Sequence, residues 1–327
     1  TFRYSNSKIL KSLKSLKFKI KILAFNFKTI FSNVNYHYIL GLTATLERSD
    51  KKHYIIEEYC PVVDTVSMKE ALANGYVSNF KVYNLGIELN DRDRYTYEKL
   101  HDGFNKYFKW FDFNFQAAMK CLQSQEYRQH YAAKTGYDVN GIMAAAVQWS
   151  KNMRNRKTFL YNHPSKFLAA KELIDTFDVP TITFSETVKF ANELTKTLQP
   201  WAVSYHSKMK PYAKQMAIEN FKDPKSDIKV ISTARALDEG FDIQGVSMAI
   251  VCSGTSTSRQ DLQRTGRAIR WAPGKTGLMI NLYIIDTQDE KWLRQRQKKT
   301  INATHVSSVK QIKEALSKAS LEYLNVI

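Results

Sequence analysis

The spacing of apolar residues changes period several times along the chain, and each change marks an element. The changes are most regular after Pro164. Lys166 to Phe177 places apolar residues at helical spacing, Pro180 to Phe184 is a short β-rich run, and Glu186 to Leu198 is helical again. Trp201 to Tyr205 is apolar, and Pro211 to Phe221 reads as a helix with proline in its first turn. Strands are expected at Ile228 to Ile231, Ser247 to Cys252 and Leu278 to Ile285, the last read as the final core strand. Helices are expected at Arg259 to Arg270, Gln288 to Lys299 and, at the end of the chain, Ile301 to Ile327. Strands alternating with helices of this length predict βαβ units, and so an α/β fold with a parallel sheet carrying helices on both faces.

Upstream of Pro164 the texture differs. Glu88 to Lys157 has a helical pattern rich in Tyr, Phe, Gln and Lys, with few glycines and no proline. Tyr95, Tyr97, Phe104, Tyr107, Phe108, Trp110, Phe111 and Phe113 crowd one part of it. Aromatics beside lysines can stack on bases, but aromatics at helical spacing are more often packing residues. Tyr36 to Leu42 reads as a buried strand running into a polar loop at Glu47 to Asp50. Lys8 to Lys28 interleaves lysines with apolar residues. It is either a basic amphipathic element that touches phosphate or membrane, or the solvated face of a helix followed by a strand edge.

Composition narrows the function classes. The 327 residues suffice for two or three structural units with a buried core and no covalent staples. Lys and Arg number 49 against 31 Asp and Glu, a formal net charge of +18. That excess predicts attraction to a polyanion, nucleic acid first and an anionic membrane surface second. Cys60, Cys121 and Cys252 are widely spaced with no CxxC, which argues against a zinc site or a disulfide framework and fits a reduced intracellular setting. No apolar run reaches 18 residues, and the chain opens on Thr1 without a signal-peptide pattern. The expected location is intracellular (cytoplasm, nucleus or an infected cell), not secreted.

Three segments carry chemistry. In Gln263-Arg264-Thr265-Gly266-Arg267-Ala268-Ile269-Arg270, preceded by the N-cap type residue Ser258, Arg267 and Arg270 stand three apart and share a helix face. Two guanidinium groups on one face suit a phosphate that gains charge in a transition state. Ile231 to Ile243 is a strand end running into a turn, where Gly240 permits close backbone approach and Asp242 can accept hydrogen bonds from sugar hydroxyls. Thr43 and Thr45 place two small hydroxyls at the tip of the Tyr36–Leu42 strand.

Their order adds information that none carries alone. GLTATLER, ITFSE, STARALDEGFDI and QRTGRAIR, spanning Tyr38 to Arg270, resemble motifs three to six of the superfamily 2 helicases. The GLTATLER wording and the Lys/Tyr-rich helical stretch after it are similar to the branch containing XPB-type repair helicases, phage recombination helicases and restriction-enzyme motor subunits. The resemblance implies the C-terminal part of an ATP-dependent DNA helicase or translocase, with a RecA-like second domain and roles in repair or recombination. It implies that Gln263, Arg267 and Arg270 reach across the interdomain cleft to ATP, the two arginines as fingers. Gly240 and Asp242 then lie near the nucleotide. Thr233 contacts the nucleic-acid backbone, and Ser185 marks a helix N-terminus that can hold a strand phosphate. Thr43 and Thr45 couple hydrolysis to domain movement, and His206, with Ser207, is a further backbone contact. The implied organisation is 1–80 as a remnant of a first RecA-like domain, 81–163 as a mainly helical connector or insertion, 164–300 as the second RecA-like domain and 301–327 as a C-terminal helix.

Two parts of the family pattern do not stand where expected. Gly274-Lys275-Thr276 supplies a GKT, but Ile269 occupies the position of the leading glycine of a phosphate-binding loop, and the tripeptide follows motif six. No Asp-Glu box precedes Gly41. ATP and Mg2+ are therefore expected to be held mainly by a first domain outside this sequence, with no metal ligand here and no ATP hydrolysis by this chain alone. The alternatives are an RNA helicase of the same superfamily, and a non-enzymatic nucleic-acid-binding scaffold.

Overall fold

The chain divides into two compact units, 1–67 and 68–327. The computed structural model describes residues 54–74, 79–234, 245–255, 276–297 and 303–324. In the first unit the described part is a short helix, α1 (Tyr54–Tyr59), and the irregular residues that follow it. The second unit opens with α2 (Met68–Ala73) and holds everything else.

Seven strands form one parallel sheet. In chain order they are β1 (Asn79–Ile87), β2 (Thr181–Ser185), β3 (Ala202–His206), β4 (Val230–Ala234), β5 (Met248–Val251), β6 (Thr276–Ile284) and β7 (Thr304–Val306). In space they run β3-β4-β2-β5-β6-β1-β7. All six pairings are parallel, so each connection must cross over the sheet. The strands of a sheet covered on both faces read as near-continuous apolar runs, and β2, β4 and β5 are buried along their whole length. Alternation along each strand then sorts side chains between two cores. On one face Leu85, Val230, Ile250, Ile280 and Leu282 meet α7 (Pro164–Phe177), α8 (Val188–Thr197) and α11 (Val309–Leu324). On the other, Val82, Ile182, Phe184, Ile231, Val251 and Met279 meet Phe221 of α9 (Pro211–Lys222).

Between β1 and β2 the chain leaves the sheet to build a helical lobe: α3 (Asp91–Phe108), a 3-10 turn (Lys109–Phe111), α4 (Phe115–Gln123), α5 (Gln125–Thr135) and α6 (Val139–Tyr161). Its helices begin at side-chain caps. Asn90, Asn114, Ser124 and Asp138 each accept a hydrogen bond from an N–H in the first turn, satisfying a donor the helix cannot. The lobe has its own core, in which Phe104, Phe111, Ala118, Cys121, Ile142 and Ala146 surround Trp149. The aromatic crowd noted in the sequence thus splits. Tyr97, Phe104 and Phe111 are buried, whereas Tyr95 and Phe113 are exposed.

The structure departs from the sequence expectations at both ends of the sheet. Asn79–Ile87, where no element was anticipated, is a nine-residue strand paired with β6 along its whole length. The expected final core strand, β6, is followed in the chain by β7, and in the sheet it lies between β5 and β1. The expected terminal helix is preceded by the three residues of β7, paired with β1. α10 (Gln288–Gln297) packs against β6 and, through Trp292, against Tyr97 and Tyr161 of the lobe.

Candidate functional site at the carboxyl edge of the sheet

In an open parallel sheet, a ligand crevice forms outside the carboxyl ends of two neighbouring strands whose onward connections diverge. Here those strands are β2 and β5. The chain leaves β2 toward β3 on one side and leaves β5 toward β6 on the other. Two hydrogen bonds close the floor of this gap. The Cys252 N–H donates to the Phe184 carbonyl at 2.9 Å, and the Glu186 N–H donates to Ser253 Oγ at 2.8 Å.

Ser185 and His206 end β2 and β3 at one level, each next to Ala234 at the end of β4. Ser185 is fully buried, with its hydroxyl between the carbonyls of Thr233 (2.9 Å) and Thr187 (3.0 Å). The residue at the helix N-terminus is Thr187, which accepts from the Phe190 N–H to cap α8 and donates to Asn162 at the end of α6. His206 is also buried. Its Nε2 meets Asn192 of α8 at 3.0 Å, and burial, then Lys208 and Lys214, push its pKa down. The neighbours that face solvent are Ser207, Lys208 and Lys210. Thr233 lies on the opposite face, flanked in register by Phe184 and Tyr205, and its buried hydroxyl has no hydrogen-bond partner among the described residues.

Thr43, Thr45, Gly240, Asp242, Gln263, Arg267 and Arg270 lie outside the described residues, as do the basic segment Lys8–Lys28 and the Tyr36–Leu42 strand. Among the described residues no group of three or more His, Cys, Asp or Glu is placed to hold a metal ion, and no helix is long and apolar enough to cross a membrane.

A second cluster, which the sequence reading missed, joins the lobe to the sheet. Lys166 on α7 and Asp289 on α10 form a fully buried ion pair at 2.5 Å, and Asp289 also accepts the Ile284 N–H. Arg94 donates to the carbonyls of Ile285 and Asp286, and the Tyr97 hydroxyl accepts the Gln288 N–H at 2.8 Å. Arg156, 4% exposed, lies over the Phe104 ring and touches His101 Nδ1 at 2.8 Å. Arginine only donates, so Nδ1 must be an unprotonated acceptor and His101 neutral. Burial, then Arg156 and Lys291, lower the His101 pKa against the pull of Asp102. His163 pairs with Asp93 at 3.4 Å, and burial holds its pKa down. The sequence offered little signal: Lys166 lies in the amphipathic run Lys166 to Phe177, but Asp289 lies among charged and amide residues in Gln288 to Gln297.

A seven-stranded parallel sheet with helices on both faces is the RecA-like architecture. Residues 165–272 match the family model of the helicase conserved C-terminal domain. The DNA 3'-5' translocase XPB2 of Sulfurisphaera tokodaii is 28% identical over 262 residues, 80% of this chain and 56% of the relative. The ATP-dependent RNA helicase SUB2-2 of Vanderwaltozyma polyspora is 28% identical over 165 residues, 49% of this chain and 34% of the relative. The chain thus spans between a third and just over half of the length of these relatives. Among solved structures, the C-terminal part of the Fun30 ATPase domain aligns with TM-score 0.46 and 14% identity over 76% of this chain and 99% of that one. Dbp5 of S. cerevisiae, bound to RNA and ADP BeF3, aligns with TM-score 0.42 and 24% identity over 49% of this chain and 43% of that one.

Proposed function

We propose that this chain is the second motor half of an ATP-dependent DNA helicase or translocase that grips the nucleic-acid backbone rather than reading bases. The reach of the similarity to the DNA translocase carries this reading. A stretch of 262 residues includes the whole helical lobe wherever it begins, whereas the match to the RNA helicase of Vanderwaltozyma covers only 49% of the chain. In this reading Arg267 and Arg270 stabilise charge on the transferring phosphoryl group, with Gln263 beside them and Gly240 and Asp242 at the nucleotide. ATP and Mg2+ are held chiefly by a first RecA-like domain, to which Thr43 and Thr45 couple. Thr233, whose buried hydroxyl has no hydrogen-bond partner among the described residues, supplies a backbone contact. Ser185 and His206 serve the same edge from within, by fixing the strand ends and α8.

The test is ATP hydrolysis by this chain joined to a first RecA-like domain carrying the phosphate-binding loop, with DNA or RNA added. DNA should stimulate turnover more than RNA. Changing both Arg267 and Arg270 to Ala should lower the rate by about 10³ or more. Greater stimulation by RNA would favour the RNA-helicase reading, which the RNA-helicase relatives support. Salt-sensitive DNA binding without turnover would favour the scaffold. Hydrolysis at a normal rate by the chain alone would overturn the assignment of the phosphate-binding loop to another domain.

A further inference from the structure

We propose that the outer edge of the helical lobe, formed by Phe113 and Phe115, is a stacking platform for bases of a single nucleic-acid strand. This rests on the nucleic-acid reading above and adds a contact away from the carboxyl edge of the sheet. The two rings are 57% and 52% exposed although the lobe has a closed core directly beneath them. Phe113 meets Phe108 edge-on at 5.6 Å, Phe115 meets Trp149 edge-on at 5.3 Å, and Phe108 stacks on Trp149 at 5.6 Å. One continuous aromatic surface therefore runs from the core to solvent, and its outer members are held by its inner ones.

The backbone is specialised for this display. Asp112 and Phe113 both have positive φ, 48° and 55°. A bulky residue in the left-handed region is a true outlier, and such strain persists only where the surroundings over-determine it. Here they do. The Phe113 N–H donates to the Phe108 carbonyl at 3.3 Å, the Asn114 N–H donates to the Phe111 carbonyl at 2.8 Å, and the Asn114 side chain caps α4. Folding the lobe calls for none of this at Phe113, since Phe104, Phe111 and Trp149 already fill the core.

Charge selects the occupant. Between positions 106 and 120 three exposed lysines, Lys106, Lys109 and Lys120, stand against one carboxylate, Asp112. Exposed aromatic rings in a segment rich in exposed lysines are complementary to a strand that offers bases on an anionic backbone. Stacking of this kind tolerates any sequence, because every base has a π-face.

The experiment measures binding of the chain to a labelled single-stranded DNA by fluorescence anisotropy over a range of salt, with Phe113→Ala, Phe115→Ala and the double variant. Both residues are exposed, so the variants should fold. The double variant should bind about tenfold more weakly with an unchanged salt slope, because the phosphate contacts remain. Phe113→Trp should retain the affinity. A strand lacking bases should bind the parent chain about as weakly as the double variant binds the normal strand, with little further loss when the two are combined. An unchanged affinity in the double variant would overturn the proposal and leave the face to a protein partner. An equal loss on the strand lacking bases would also overturn it. If the parent chain bound no strand at all, the nucleic-acid reading and this platform would fall together.

Discussion

His101 and Arg156 make the packing of α3 on α6 within the lobe sensitive to acid. His101 must stay neutral to accept from Arg156, and its folded-state pKa lies below the ordinary 6.5. The unfolded chain therefore binds more protons than the folded one as pH falls below that value, so this contribution is complete above about 6.5 and shrinks on acidification. His163 and His206, both also lowered, act in the same direction. Urea midpoints measured at pH 5.5 and 7.5 should fall toward the acid side, and less so in His101→Gln, whose amide oxygen can accept without titrating. The Lys166–Asp289 pair predicts a second outcome. Replacing one partner of a buried pair strands the other charge at a cost of about 3–5 kcal/mol. Lys166→Met should lower stability on that scale in denaturant titration, and adding Asp289→Asn should recover part of the loss. Neither pair was legible in the sequence, because the partners come from different helices: α3 with α6, and α7 with α10. The arginine pair at 267 and 270 is an expectation that local spacing can raise, because its two members stand three apart in the chain, and it lies outside the described residues. Ser185 and His206 were legible as strand-end residues, but not as buried ones whose polar groups face α8.

Elements were read best where periodicity and local punctuation agreed. Pro211 opens α9 as expected, and β2, α8 and β3 fall within a few residues of their sequence positions. β1 was missed because Asn84 and Gly86 interrupt its apolar run. The structure explains both. Asn84 shares a buried amide network with Asn281 and Gln297, and Gly86 leaves room for Ile285, whose Cδ1 would lie 2.9 Å from an added Cβ. The lobe has local caps and a core of its own around Trp149. Asp138→Ala, which removes the cap of α6, should cost about 1 kcal/mol. Trp149→Ala should cost about 3–5 kcal/mol. Hydrogen exchange should then rise across α3 to α6 before it rises in β2, β4 and β5.

At the scale of the whole molecule, the excess of 49 basic over 31 acidic residues predicts that affinity for any nucleic acid falls linearly in log–log form with salt. Salt titrations with strands of unrelated sequence should give the same slope, and a slope that depended on sequence would contradict a backbone grip. The alternation of strands and helices was enough to foresee a parallel α/β sheet. It could not give strand order, because nothing local says that the first strand pairs with the sixth. That pairing carries a timing constraint. Asn79 must wait for Thr276, a partner made 197 residues later. At ribosomal speeds of about 5–20 residues per second, β1 spends roughly 10–40 s without its neighbour. The lobe, whose contacts are mostly local, is complete during most of that interval. A newly made chain therefore passes through a stage in which a finished helical body trails an unpaired apolar strand, and in that stage it depends most on chaperones.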